Sequence, residues 1–381
     1  MNTAIIGMGN MGSKYARMIL AGEVPGLKLT AVTRVNEERL KAIGDVWDEN
    51  VKVYHSGEDL LAAFDRGEIE LEALIVVTPH ISHETFVKAG LKRGLHVLCD
   101  KPAGVYSRQA REMEEANVHG RVYGYVFHQR TYPAYAALKK LVDEQRYGKL
   151  LRVNWIVTDW FRPEAYYHSE PWRAKWSTDG GGTLLNQCPH NLDLLVWLCG
   201  MPESVYAWCN EGRYHSIEVE DDASIMMRWE NGVTGIFVAA TGERCGVNRL
   251  ELSFEKAVIR CEDGRVRVLE EDPVQSDDMY AAIRCSWKEI DVSGADANAP
   301  ADQAPAAYVR LLKAFSAACS KGTPLIADSS DARNNIMLIN AMYMSSWTRS
   351  EVRLPKQDTP EELAFEQKYE ELLKTKIESK S

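Results

Sequence analysis

Two stretches of the 381-residue sequence carry side chains able to move a proton. The first is "HVLCDKPAG", residues 96–104, in which Lys101 stands between Asp100 and Pro102. The second is "GGGTLLNQCPHNLDLLVWLCG", residues 180–200, where three glycines lead into an apolar run carrying Asn186, His190 and Asp193. Steps of four and three along a helix bring side chains to one face. The spacing therefore predicts one polar face on an otherwise apolar helix. Removing hydride from a carbinol carbon requires a base within hydrogen-bond reach of the hydroxyl. A histidine titrates near neutrality, and a lysine becomes a base where burial or a neighbouring cation favours its neutral form. Lys101 and His190 both fit, one taking the proton while the other orients the hydroxyl. The amide of Asn186 takes up no proton and so positions. The plainer alternative makes Asn186 and Asp193 anchors of His190 in a core network, and Lys101 a surface lysine.

A hydride also needs an acceptor. "TAIIGMGNMGSKYARMIL", residues 3–20, reads as a buried strand, a turn with Gly7, Gly9 and Gly12 in the GxGxxG pattern, and an amphipathic helix. In that pattern the first glycine makes the tight turn. The second admits a pyrophosphate to the backbone, and the third lets helix and strand pack closely. The helix N-terminus favours the phosphate charge. The next strand, "LKLTAVTRV" (27–35), ends at Thr33 and Arg34, with Arg39 following. An NAD binder usually places Asp or Glu there for the ribose diol. A guanidinium suits a 2′-phosphate, which tilts the reading from NAD toward NADP. The alternative is that Arg34 stacks on the adenine and NAD binds.

The elements that must hold these groups follow from hydrophobic pattern. Ala73–Val77 is a continuous apolar run of the kind buried in a parallel sheet, ending in Thr78, Pro79 and His80. Residues 83–92 read as a helix, and residues 96–99 and 122–127 as strands. Residues 133–144 read as a helix. Alternating segments at 151–157, 204–208, 222–229, 233–240, 249–254, 257–261 and 265–269 then predict a mostly antiparallel sheet. The expected class is α/β. A Rossmann dinucleotide-binding domain spans residues 1–127, and an α+β substrate and oligomerisation domain with an open sheet spans 128–355. A helical tail covers 356–381. Residues 294–307 are rich in Ala, Pro and Asp and read as an irregular linker. Helices are expected at 308–320 and 331–346. In the tail, Thr359 is the expected N-cap and Pro360 the first helical residue. Phe365, Tyr369, Leu373 and Ile377 form an apolar stripe there, to pack on this chain or on a partner subunit.

GxGxxG at the first strand, then "VVTPHISH", then "CDKP", in this order, resemble the Gfo/Idh/MocA family of sugar and polyol oxidoreductases. The usual family motif is Glu-Lys-Pro, so Asp100 departs from it but keeps the carboxylate. Residues 180–193 resemble the family motif GGG…D-x-G-x-H-x-x-D. His190 falls on its catalytic histidine and Asp193 on its last aspartate, with Asn186 in place of Asp and Cys188 in place of Gly. That variant resembles a subgroup associated with oxidation of glycosides at C3. The resemblance implies Lys101 and His190 as catalytic residues, with Arg162, Tyr166, Tyr167, Asn186 and Asp193 binding substrate. Cofactor contacts are implied for Gly7, Gly9, Asn10, Met11, Gly12, Thr33, Arg34 and Arg39. Thr78, Pro79, His80, His83, Asp100, Lys101 and Gln129 are implied further along the first domain. The pair Trp172 and Arg173 matches a cofactor-touching pair in relatives, Tyr308 matches a tyrosine that reaches the cofactor, and the glycine turn at 180–182 is expected to approach the nicotinamide.

The loop "DWFRPEAYYHSEPWRAKW" (159–176) crowds arginines with tyrosines and tryptophans, which suit sugar hydroxyls and C–H faces. A satellite hydrophobic cluster is the alternative. The formal charge of −10 argues against a nucleic-acid partner. No apolar segment reaches the roughly 18 residues of a membrane span. The N-terminal residues lack signal-peptide character, and eight cysteines without paired spacing read as reduced thiols, so a cytoplasmic protein is expected. No metal site is expected. The function that emerges is NAD(P)-dependent oxidation or reduction at a ring hydroxyl of a sugar, glycoside or cyclitol, by a homo-oligomer. The alternatives are a glycosidase using transient oxidation and a non-catalytic sugar or nucleotide sensor on the same fold.

Overall fold

The computed structural model describes residues 1–271, 285–292 and 304–380. In chain order its first elements are β1 (Asn2–Ile6), α1 (Asn10–Leu20), β2 (Lys28–Thr33), α2 (Glu37–Ile43), β3 (Lys52–Tyr54), α3 (Gly57–Asp65), β4 (Ala73–Val76), α4 (His83–Lys92), β5 (His96–Cys99), α5 (Ser107–Glu115) and β6 (Tyr123–Tyr125). Then come α6 (Pro133–Asp143), β7 (Leu150–Val157), α7 (Glu164–Tyr167), α8 (Pro189–Cys199), β8 (Ser204–Glu211), β9 (Glu220–Arg228), β10 (Thr234–Ala240), β11 (Asn248–Phe254), β12 (Ala257–Glu262), β13 (Arg265–Glu271) and β14 (Cys285–Ile290). The last elements are α9 (Ala304–Lys321), α10 (Ser329–Thr348), β15 (Val352–Arg353) and α11 (Pro360–Glu378). They form two units, Met1–Thr131 with Ala304–Ile336, and Tyr132–Gln303 with Met337–Ser381.

In the first unit the strands are parallel and ordered β3-β2-β1-β4-β5-β6, the doubly wound order whose direction reverses between β1 and β4. All four residues of β4 are buried, as an apolar strand covered on both faces must be. Ile5, Val32, Ile75 and Leu98 from the strands meet Tyr15 and Ile19 of α1 in one core. Leu311, Leu312 and Phe315 of α9 complete it. Residues 304–336 therefore belong to the first unit, which corrects the division at 127 and 355. The periodicity of α9 shows that it has an apolar face but not which core that face covers. Of the expected linker, residues 294–303 lie outside the described residues, and from Ala304 the chain is helical.

Among the described residues the second unit holds a nine-stranded sheet, β14-β13-β12-β11-β7-β10-β9-β8-β15. Each neighbouring pair is antiparallel except β7 with β10. Alternation is plain in β12, whose residues are buried every second position. The open face of β8–β10 leaves Trp208, Met226 and Ile236 about half exposed. The final helix is not a separate tail. Thr359 caps α11, Pro360 opens it, and its buried stripe of Phe365, Tyr369 and Leu373 packs within the second unit, where Tyr369 stacks on Trp347 at 5.6 Å. No helix is long and apolar enough to cross a membrane, and no group of three or more His, Cys, Asp or Glu is placed to hold a metal, among the described residues.

Candidate functional site

The glycine turn after β1 separates the three roles read from the sequence. Gly7 has φ +104°, and a Cβ there would lie 2.3 Å from the carbonyl oxygen of Val77. A Cβ on Gly12 would lie 2.0 Å from the Gly7 oxygen. Both glycines close the turn upon itself. Gly9 has nothing within 4 Å of the same construction and so faces open space, as approach of a ligand to its backbone requires. Nearby, Thr78 Oγ1 is buried with no hydrogen-bond partner among the described residues. An open backbone face and an unsatisfied hydroxyl at the switch point are what a bound dinucleotide would fill.

Around this turn the expected cofactor residues divide. Asn10 and Met11 open α1, and Asn10 Oδ1 accepts from the Arg39 guanidinium. Arg34, with φ 48°, donates Nε to His55 O at 2.9 Å and leaves its guanidinium exposed. Thr33 was expected at the ribose. It is buried, and its hydroxyl accepts the Gly7 N–H at 3.0 Å, so it holds the turn in place. Pro79 and His80 follow Thr78, and Gln129 sits in the 3₁₀ turn His128–Thr131 after β6.

His83 requires a larger correction. Its ring is fully buried, and Nδ1 and Nε2 lie 2.9 Å from Pro102 O and 2.8 Å from Thr78 O. It is a brace between the loop after β4 and the loop that carries Lys101, with no surface left for a cofactor. Burial lowers its pKa. Asp100 accepts the Lys101 N–H at 2.9 Å. Burial raises its pKa while the Lys101 and His83 charges oppose the rise. Sequence reading missed His128, which stacks on Tyr308 with centroids 3.9 Å apart. Its pKa is pushed down to about 3, first by burial and then by the Lys101 charge. Tyr308 also lies 5.6 Å from Tyr15, so α9 brings a tyrosine to the Lys101 side of the first unit.

In the second unit the stretch 180–200 is not one helix. Thr183–Gln187 forms a π-helical turn, and α8 starts at Pro189. The single polar face is thus corrected. His190 and Asp193 keep their spacing within α8, while Asn186 lies on the preceding turn. There its Nδ2 donates to both oxygens of Asp179 at 3.2 Å. His190 is 9% exposed and Asp193 is 1% exposed. The glycines before the turn have near neighbours of their own. A Cβ on Gly181 would lie 2.3 Å from the Tyr343 hydroxyl oxygen, and one on Gly182 would lie 1.9 Å from Glu220 O. The Glu220 carboxylate accepts the N–H groups of Gly182 (2.9 Å) and Leu184 (2.8 Å) and the Tyr343 hydroxyl (2.8 Å). These glycines therefore serve a buried clamp rather than an approach to nicotinamide. The cue in the sequence was three consecutive acids, Glu220 to Asp222, entering an apolar strand.

In the loop before the glycines, Tyr166 is the hub. Arg162 and Arg173 lie over its ring at 4.9 and 4.3 Å, and its hydroxyl accepts from Arg173 Nη1 at 2.7 Å and Gln187 Nε2 at 3.1 Å. Arg173 also lies over Trp172. Tyr167, expected at the substrate, is buried, with its hydroxyl 2.7 Å from Thr241 Oγ1 and its ring 4.8 Å from His215. It is a packing residue. Burial holds its phenol well above the usual range. Cys188 is likewise buried.

Residues 1–126 match the family model "Oxidoreductase family, NAD-binding Rossmann fold", and residues 135–260 match "GFO/IDH/MocA C-terminal domain". The chain belongs to the GFO/IDH/MocA oxidoreductase family. Among curated relatives, the uncharacterized oxidoreductase YdgJ of Escherichia coli K12 is 32% identical over 208 residues, 53% of this chain and 54% of that protein. The inositol 2-dehydrogenase/D-chiro-inositol 3-dehydrogenase of Shouchella clausii KSM-K16 is 29% identical over 196 residues, 51% of each. The chain thus spans about half the length of these relatives. The fold is that of the WlbA dehydrogenase from Bordetella pertussis solved with NADH and UDP-GlcNAcA (TM-score 0.74, 23% identity, 93% of this chain and 99% of that one). It is also that of levoglucosan dehydrogenase solved with NADH and levoglucosan (TM-score 0.77, 19% identity, 93% and 100%).

Proposed function

We propose that this chain is an NAD(P)-dependent dehydrogenase acting on a ring hydroxyl of a sugar, glycoside or cyclitol, with Lys101 and His190 as its catalytic pair. The observation that carries the reading is the His83 brace. Its ring spans the carbonyls of Thr78 and Pro102, donating to one and packing against the other, so it joins the loop beside the open glycine turn to the loop bearing Lys101. The nicotinamide, when bound, accepts or returns hydride at the carbinol carbon. Gly9, Asn10 and Thr78 would hold the dinucleotide, on the turn that Gly7 and Gly12 close. Lys101 and His190 bind the reacting hydroxyl, one taking its proton and the other orienting it. Asn186 positions through Asp179, since its amide cannot relay a proton. Asp193, one helical step from His190 on α8, supports the imidazole.

No Asp or Glu stands at residues 33–36, and the exposed Arg34 is free to read a 2′-phosphate, which favours NADP over NAD. The half-exposed sheet face around Trp208, Met226 and Ile236 suits a homo-oligomer contact. The eight cysteines are all unbridged, in keeping with a reducing compartment. The test is reduction of NADP and NAD, followed by absorbance, across inositols, glucosides and free sugars. Formation of a keto sugar with matching cofactor reduction supports the reading. Absence of any cofactor reduction across the panel contradicts it.

A further inference from the structure

The loop around Tyr166 holds more positive charge than it neutralises. Arg162 lies over Trp160 (5.2 Å) and Tyr166 (4.9 Å), and Arg173 lies over Tyr166 (4.3 Å) and Trp172 (4.6 Å). Two guanidinium groups therefore share one phenol ring. Among the described residues neither has a carboxylate within 4.0 Å. Their hydrogen bonds go to neutral acceptors, Phe161 O at 3.4 Å for Arg162 and the Tyr166 hydroxyl for Arg173. Two neighbouring acids are engaged elsewhere. Glu164 accepts from His168 and from Ser216 N, and Asp179 accepts from Ala174 N and Asn186. Among the described residues, Arg162 Nε, Arg173 Nε and Trp160 Nε1 are all buried without a partner. Three unsatisfied donors and two like charges around one ring are costly unless an anion joins them.

The cluster is also tied to the turn that leads to His190. Gln187, 6% exposed, donates Nε2 to the Tyr166 hydroxyl, and it directly follows Asn186. We infer that Arg162, Tyr166 and Arg173 form an anion subsite for the substrate, whose occupant is the carboxylate of an acidic sugar. This inference rests on the dehydrogenase reading and names its substrate class. The forked donors of a guanidinium match the two oxygens of a carboxylate, and a tyrosine ring held between two arginines presents those forks in fixed planes.

The test is binding by calorimetry to the full chain in the presence of NAD(P)H, with methyl β-D-glucopyranosiduronate, methyl β-D-glucopyranoside and glucose 6-phosphate as probes. The expected result is a Kd for the uronide at least about tenfold below that for the glucoside. Arg162→Gln and Arg173→Gln each reduce that preference to about threefold or less. Arg162→Lys, which keeps the charge but not the fork, recovers it only in part. Equal binding of uronide and glucoside overturns the inference. So does tighter binding of the phosphate than of the uronide, or a loss of cofactor affinity in Arg162→Gln or Arg173→Gln with the sugar preference intact. Because the readout is binding, the two claims fail separately. Uronide discrimination without turnover of any sugar removes the dehydrogenase reading and leaves the subsite, and turnover without discrimination does the reverse.

Discussion

The phenol of Tyr343, on α10, donates to the carboxylate of Glu220, at the head of β9, across 2.8 Å in the interior of the second unit. The same carboxylate accepts from Gly182 and Leu184, so one buried acid fixes the backbone on which Asn186 sits and from which α8 and His190 follow. Tyr343→Phe leaves that acid one donor short and should destabilise the protein by about 1–3 kcal/mol, read from urea unfolding. A variant as stable as the parent would show that the clamp carries no strain-bearing role.

Burial raises the Glu220 pKa from 4.5 to about 7 against the pull of its donors. An acid that binds its proton more tightly when folded adds stability below its unfolded pKa, and this is lost as pH rises through the folded value. The Glu220 contribution should therefore decline between about pH 4.5 and 7, by an amount on the order of 3 kcal/mol. Unfolding free energies of the parent and Glu220→Gln, compared across that range, should differ in slope. Parallel pH profiles would rule the titration out.

The fully buried His83 makes a second structural test. As a brace, His83→Ala removes a buried ring and leaves one carbonyl without its donor, for a loss of about 2–4 kcal/mol in stability. Turnover should fall through kcat as the Lys101 loop loosens, while the KM for the dinucleotide changes by less than about threefold. A large rise in cofactor KM at unchanged stability would restore the direct contact expected from the sequence.

Cofactor choice is tested at Arg34. The parent should prefer NADP in kcat/KM, and Arg34→Asp, which supplies the acceptor for a free ribose diol, should move the ratio toward NAD by about tenfold or more. An unchanged ratio would mean that Arg34 does not meet the 2′ position.

The exposed sheet face gives a prediction about assembly. Met226 and Ile236 are paired across β9 and β10 and are 55% and 46% exposed. Met226→Lys with Ile236→Lys should lower the mass seen in sedimentation equilibrium to that of one chain and leave the melting temperature within a few degrees, about the range of surface substitutions. A parent that is already monomeric would remove the proposed contact.

Much of this fold was legible because local pattern and tertiary position agreed. The apolar run before Thr78 had to be an interior parallel strand, and residues 83–92 and 96–99 carry periods that fit one element each. The legible part of the site was likewise local, the glycine turn and the lysine at a strand end. What escaped depended on partners distant in sequence. The period of residues 180–200 fits a continuous helix, but the turn Thr183–Gln187 is π-helical and α8 restarts at Pro189, while Glu220, some forty residues on, holds the N–H groups of 182 and 184 at the head of that turn. His83 looked like a ligand at a strand end until its two carbonyl neighbours were seen. β14 escaped because its residues are mostly exposed on both faces and leave no alternation to read.

The catalytic roles of Lys101 and His190 are tested most directly by the turnover of Lys101→Ala and His190→Ala, measured beside their dinucleotide dissociation constants. Loss of about a hundredfold or more in kcat for each, with dinucleotide Kd within about threefold of the parent, is the predicted result. Either variant turning over at the parental rate would contradict it.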